Sequence, residues 1–234
     1  LKGVHMTDYL FVFDFDDTLA ETIATIGVAR THKDQNDTLF REWLIEHDLF
    51  PVSEEKADNL IYYYLTSEDF AKYQKFASNE ISDETVEHFD FSDTAGVNKT
   101  TSKENPEIIK ILKQAENTKN ARAIIVTARG NNEFISPFGK VTPTNRADIS
   151  DFLKSTGAAI DGSQVFPVGS SDPAAKARIV RRYIDALNPK TVYFYDDNDL
   201  NVEAIHQLCD EYKGGPNIIT YKVNQGFPGE MKEC

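Results

Sequence analysis

Tyr9-Leu10-Phe11-Val12-Phe13 runs straight into Asp14-Phe15-Asp16-Asp17. An almost unbroken apolar run suits a strand buried on both faces, as in a parallel sheet. The acidic residues belong at the strand's end, outside the core. Further along the chain the arrangement recurs. Ala123 to Val126 reads as a buried strand followed by Thr127 and Arg129, and Val192 to Tyr195 as another followed by Asp196-Asp197. Gln164 to Val168 and Asn217 to Val223 complete the set. Helical patterns lie between them. One runs from Pro106 to Asn117 with proline in its first turn. The others span 144–155, stopped by Gly157, then Asp172-Pro173 to Leu187, and Leu200 to Tyr212. Residues 131–143 read as loop. Strands alternating with helices predict an α/β fold, a parallel sheet covered on both sides.

Residues 21–103 interrupt this alternation. Leu39, Phe40, Trp43 and Leu44 share a helical face, as do Ala57, Leu60, Ile61, Tyr64 and Leu65, and then Phe70, Tyr73 and Phe76. Ser53 reads as an N-cap after Pro51. The expectation is a small helical cap inserted after the first strand, with 78–103 as loop, acting as a lid that shapes substrate choice. The core domain is then 6–20 plus 104–234. Leu1 to His5 read as a cloning remnant ahead of Met6.

A chain of 234 residues, 40% hydrophobic and 27% charged, can bury a sizeable core. No run reaches the roughly 20 apolar residues of a membrane helix, and no secretory leader is visible. Cys209 and Cys234 form no metal-ligand spacing. They read as a half-buried thiol and a frayed tail, which points to the cytoplasm. A net charge of −13 repels polyanions and argues against broad nucleic-acid binding.

The polar groups cluster by topology. Asp14 with Asp16, Thr127 with Arg129, Lys176, and Asp196 with Asp197 all fall at a strand's C-terminal end or the helix start just beyond it. Open α/β sheets bind ligands along that edge. Asp14 and Asp16, two apart in extended chain, place both carboxylates on one side. One can attack phosphorus while the other handles the leaving oxygen's proton. Crowded carboxylates imply a hard, oxygen-binding cation such as Mg²⁺. A strand-end threonine can bond a phosphate oxygen, and arginine is a fork-shaped phosphate donor. Lys176 lies in a helix's first turn, where a cation is disfavoured unless an anion sits opposite.

Together these residues resemble the haloacid dehalogenase superfamily. Asp14-Phe15-Asp16-Asp17-Thr18 matches its DxDx[TV] signature, Val126-Thr127 its second motif, Lys176 its third and Asp196-Asp197 its fourth, in the right order. The resemblance covers roughly residues 6–20 and 104–210 and implies a Rossmann-like, doubly wound core. It implies Asp14 as nucleophile, Asp16 as general acid/base and metal ligand, and Thr127 and Lys176 as phosphate holders. Asp14, Asp196 and Asp197 complete the metal set, while Thr18 supports the loop or substrate and Arg129 binds substrate. Asp197 and Asp199 both stay open as metal-side acids, because Asn201 stands where several members have an acid. Arg146 and Lys140 could line a pocket beside Arg129 and Lys176. The expected activity is a Mg²⁺-dependent phosphatase acting on a small phosphorylated metabolite or nucleotide. Thr127-Ala128-Arg129 also resembles phosphatases of polynucleotide ends. A catalytically silent binding module is the rival from another class. A receiver-like signalling domain is disfavoured by the order of its acidic residues.

Overall fold

A computed structural model describes residues 7–33 and 35–234. The remnant reading of Leu1 to His5, with Met6 as start, lies outside them. The chain divides into two compact units. The first comprises Leu1–Thr22, Gly96–Asn131 and Thr144–Cys234, and the second Ile23–Ala95 and Asn132–Pro143.

The first unit is mixed α/β around a six-stranded open sheet. Its strand order is Val165–Pro167, Ala121–Thr127, Tyr9–Phe13, Thr191–Asp196, Asn217–Asn224 and Phe227–Glu233. The first five strands are parallel and the last is antiparallel. Tyr9–Phe13 is central, which is why it is apolar throughout. Its alternate residues feed two cores. Leu10 and Val12 join Ile124, Val126, Val192 and Phe194 against Ala177, Val180, Ile184, Val202 and Ile205. Phe13 joins Ile125 and Tyr195 against Ile108, Leu112, Ile149, Phe152 and Leu153. Helices Pro173–Leu187 and Asp199–His206 therefore serve one face. Pro106–Asn117 and Asn145–Ser155 serve the other.

Three expectations for this unit need correcting. The helix expected over 200–212 is two pieces, Asp199–His206 and Leu208–Glu211. The chain does not end its sheet at Val223. It turns at Gln225-Gly226, both left-handed (φ 48° and 77°), and returns as Phe227–Glu233. The cysteines are not separate thiols. Cys209 and Cys234 form a disulfide with Cα atoms 6.0 Å apart. The returning strand makes this possible, because Cys234 N donates to Ile218 O at 3.2 Å and so carries the terminus to the short last helix. The cytoplasmic expectation loses the support it drew from unpaired cysteines, since disulfides persist mainly in oxidising compartments. No helix among the described residues is long and apolar enough to cross a membrane.

The second unit departs from the helical reading. Helices Phe40–Glu46 and Ser67–Glu80 carry the expected aromatic stripes. The rest is mainly antiparallel sheet. Thr25–His32 pairs with Leu60–Thr66, with Thr85–Asp90 and with Gln35–Asn36, and Ser53–Ala57 pairs with Leu60–Thr66. Ser53 opens a strand and caps no helix. A further hairpin, Phe134–Ser136 with Gly139–Val141, occupies the segment read as loop. Lys140, expected to line a pocket, sits in this hairpin and pairs with Glu133 at 2.7 Å. The core includes Val28, Phe40, Leu44, Leu65 and Tyr73. Within it the Arg30 guanidinium lies 4.4, 4.1 and 5.3 Å from the ring centroids of Phe40, Trp43 and Tyr73.

Candidate active site

The chain doubles back directly after the central strand. Asp14 N still donates to Tyr195 O at 2.9 Å, while Leu19 N and Ala20 N both donate to Phe15 O at 3.0 Å. Asp17 N closes the loop on Ala20 O at 2.7 Å. Asp17 is left-handed (φ 56°), a conformation aspartate tolerates better than most residues. Asp14 is buried, Asp16 half-buried and Thr18 fully buried. The Thr18 carbonyl accepts from Asn105 Nδ2 at 2.8 Å, and its hydroxyl has no hydrogen-bond partner among the described residues.

Lys176 comes from the opposite direction. Asp172 caps its helix, accepting from Ala174 N at 2.9 Å, and Pro173 follows. The Lys176 ammonium donates to Asp14 Oδ1 at 2.6 Å and Asp196 Oδ2 at 2.8 Å. These two carboxylates explain a lysine at a helix N-terminus. Burial works against its charge, but Asp14 and Asp196 outweigh burial and hold it protonated. Asp196 also accepts from Asn198 N at 2.9 Å and from Asn201 Nδ2 at 3.0 and 3.1 Å.

Burial pushes the Asp14 carboxyl well above its ordinary value. Lys176 pulls it back, and Asp196, Asp197 and Asp16 push it further up. Burial, then Asp196 and Asp17, lift Asp197 to about 7. Carboxylate oxygens of Asp14, Asp196 and Asp197 lie within 4.8 Å of one another. Three hard oxygen donors this close together could hold a hard, oxygen-preferring cation. The Asp16 carboxylate stands outside this trio.

Asp16 is instead gripped by Arg129. The guanidinium Nη2 donates to Asp16 Oδ1 at 2.8 Å and Nε donates to Oδ2 at 2.9 Å. Nη1 donates to Gly96 O at 2.6 Å and Asn145 Oδ1 at 3.3 Å. Thr22 Oγ1 donates to Asp16 Oδ1 at 2.7 Å, and Thr127 Oγ1 donates to Oδ2 at 3.4 Å. Burial raises the Asp16 carboxyl, but the charge and hydrogen bonds of Arg129, with the Thr22 bond, outweigh it and leave it lowered. Arg129, expected on substrate, thus spends its fork on Asp16.

The sheet edge brings together Asp14, Asp16, Thr127, Arg129, Lys176, Asp196 and Asp197. Supporting residues had no readable signal. Thr22, Asn105 and Asn145 are ordinary polar residues whose partners lie elsewhere in the chain, and Asn198 is an ordinary turn residue. Asn201 stood out only as a missing acid.

No protein-family model matches the chain, and no curated protein matches it. Among solved structures, one similar chain is "Crystal structure of Legionella pneumophila effector Ceg4 with N-terminal TEV protease cleavage sequence". It is 17% identical over 98% of this chain and 91% of that one, with a TM-score of 0.42. The assignment to the haloacid dehalogenase superfamily is corrected accordingly. No model of that family matches the chain. Short motifs at one sheet edge can agree without a shared family.

Proposed function

We propose that the chain is a phosphatase that transfers a phosphoryl group from a small monoester to Asp14 and then to water. The observation that carries this is the Asp14 carboxylate, buried at the end of the central strand. It lies 2.6 Å from the Lys176 ammonium, with Asp16 two residues on. We read the sheet as Rossmann-like and doubly wound. Its strand order reverses between Tyr9–Phe13 and Thr191–Asp196, and ligands of such sheets sit in that crevice.

In the first step an Asp14 oxygen bonds to phosphorus and the ester P–O bond breaks, while Asp16, a carboxylate in the resting site, takes a proton from the bound monoester monoanion and passes it to the leaving oxygen. In the second step Asp16, again a carboxylate, takes a proton from water as the water oxygen bonds to phosphorus. The bond to Asp14 breaks and phosphate leaves. Arg129 and Thr22 favour the carboxylate form that the second step uses. Lys176 holds Asp14 in place and supplies positive charge beside the phosphoryl oxygens. A Mg²⁺ ion held by Asp14, Asp196 and Asp197 would neutralise the crowded carboxylates and the phosphoryl charge.

A small phosphorylated metabolite or nucleotide is the favoured substrate. A strand of nucleic acid needs cations along its length, and a chain of net charge −13 supplies them poorly. The test is turnover of a phosphate-ester panel, with a 3′-phosphorylated oligonucleotide in competition. Asp14→Asn should abolish turnover and leave far-UV circular dichroism unchanged. A variant retaining more than a few per cent of the rate would sink the assignment. Higher kcat/KM for the oligonucleotide, falling steeply with salt, would move the substrate to polynucleotide ends. No turnover of any ester would favour a binding module.

A further inference from the structure

We propose that Asn105 is a positioning residue that holds the Asp14–Asp16 loop in the shape phosphoryl transfer needs; the inference rests on the reading of the site given above. Asn105 stands at the N-cap of helix Pro106–Asn117. Asparagine there ordinarily accepts a hydrogen bond from an amide of the first turn. Its side chain makes no such bond. Instead Asn105 Nδ2 donates to Thr18 O at 2.8 Å, and its backbone N donates to Leu19 O at 2.9 Å. One residue therefore holds two successive carbonyls on the return limb of the nucleophile loop. Only the amide nitrogen can donate to a carbonyl, so the side chain's orientation is set by chemistry.

The neighbouring backbone makes the attachment a seam. Lys103 and Glu104 pair antiparallel with Glu21 and Ala20. That return limb is bonded in turn to Phe15, whose carbonyl accepts from Leu19 N and Ala20 N. Phe15 lies between Asp14 and Asp16, so a shift at Thr18 and Leu19 moves both carboxylates. Behind Asn105 stands Gly226, in the left-handed turn of the last hairpin. A Cβ at Gly226 would lie 2.9 Å from both Cγ and Oδ1 of Asn105. The turn thus backs the amide and restricts its swing.

Three variants test this. Asn105→Asp keeps the size but sets a carboxylate oxygen against the Thr18 carbonyl, Asn105→Ala deletes the donor, and Gly226→Ala crowds the amide from behind. Each should lower kcat on a small phosphate ester by 10- to 100-fold per folded molecule, with KM changed less than twofold. Hydrogen exchange should quicken at the Leu19 and Ala20 amides and stay slow in Tyr9–Phe13. The idea is overturned by an Asn105→Asp protein with kcat within twofold of the parent, or by a loss that only tracks the unfolded fraction. Turnover that needs Asp14 but ignores Asn105 rejects this inference alone. A parent protein without Asp14-dependent turnover rejects the site reading and this inference together.

Discussion

Burial, with Asp196 and Asp17 close by, lifts the Asp197 carboxyl to about 7, against about 4 in an unfolded chain. Between those values the folded protein holds a proton that the unfolded chain has lost, so stability falls as pH rises through this window. The Asp14 shift has the same sign. In chelator the melting temperature should therefore be lower at pH 8 than at pH 5.5. Asp197→Asn should flatten that slope, and Mg²⁺ should raise the melting temperature more at pH 8. A flat profile in chelator would contradict the crowding argument. Arg129 gives a second residue-scale prediction. Removing it leaves the half-buried Asp16 charge without its bidentate partner, a loss of about 3 kcal/mol for pairs of this kind. Arg129→Ala should shift the urea midpoint accordingly. Arg129→Lys should recover only part, because an ammonium cannot reproduce the fork.

Helix Pro173–Leu187 delivers Lys176, and its first turn depends on the Asp172 cap. Asp172→Ala should cost about 1 kcal/mol in chemical denaturation, and it should lower kcat more than stability alone explains, by loosening Lys176. The elements of the first unit were legible because buried strands and amphipathic helices carry different periods there. The candidate site was legible for the same reason, since its acids directly follow those strands. Ile61-Tyr62-Tyr63-Tyr64-Leu65 was misread because a short apolar run fits either period. Its aromatic content favoured a strand, and Asp58-Asn59 just before it forms a two-residue hairpin turn with both residues left-handed (φ 49° and 65°). Asp-Asn is a weaker hairpin signal than Asn-Gly, and it was outweighed by apolar spacing. Phe227–Glu233 escaped notice because an exposed edge strand has little apolar pattern. The Cys209–Cys234 pairing depended on that strand's return. The Arg129–Asp16 grip joins residues 113 apart in sequence, and no local pattern reports such a pair.

For the molecule as a whole, the disulfide closes a span of 25 residues. Loop-closure entropy assigns such a link roughly 3 kcal/mol. Cys234→Ser, or reduction, should therefore lower the denaturation midpoint of the first unit, and hydrogen exchange should show Phe227–Glu233 opening first. An unchanged midpoint under strong reductant would show that the strand is held by its ladder alone. The second unit can be followed independently, because it holds the chain's single tryptophan. Trp43 has the Arg30 guanidinium 4.1 Å from its ring centroid and the His47 ring stacked at 3.9 Å. Both neighbours come from the same fold, so their separation on unfolding will change its emission. The chain thus carries an intrinsic optical reporter for one unit, while far-UV circular dichroism averages over both. Coincident fluorescence and dichroism curves would mean that the two units melt in one cooperative transition, and separated curves would give each its own stability without any label.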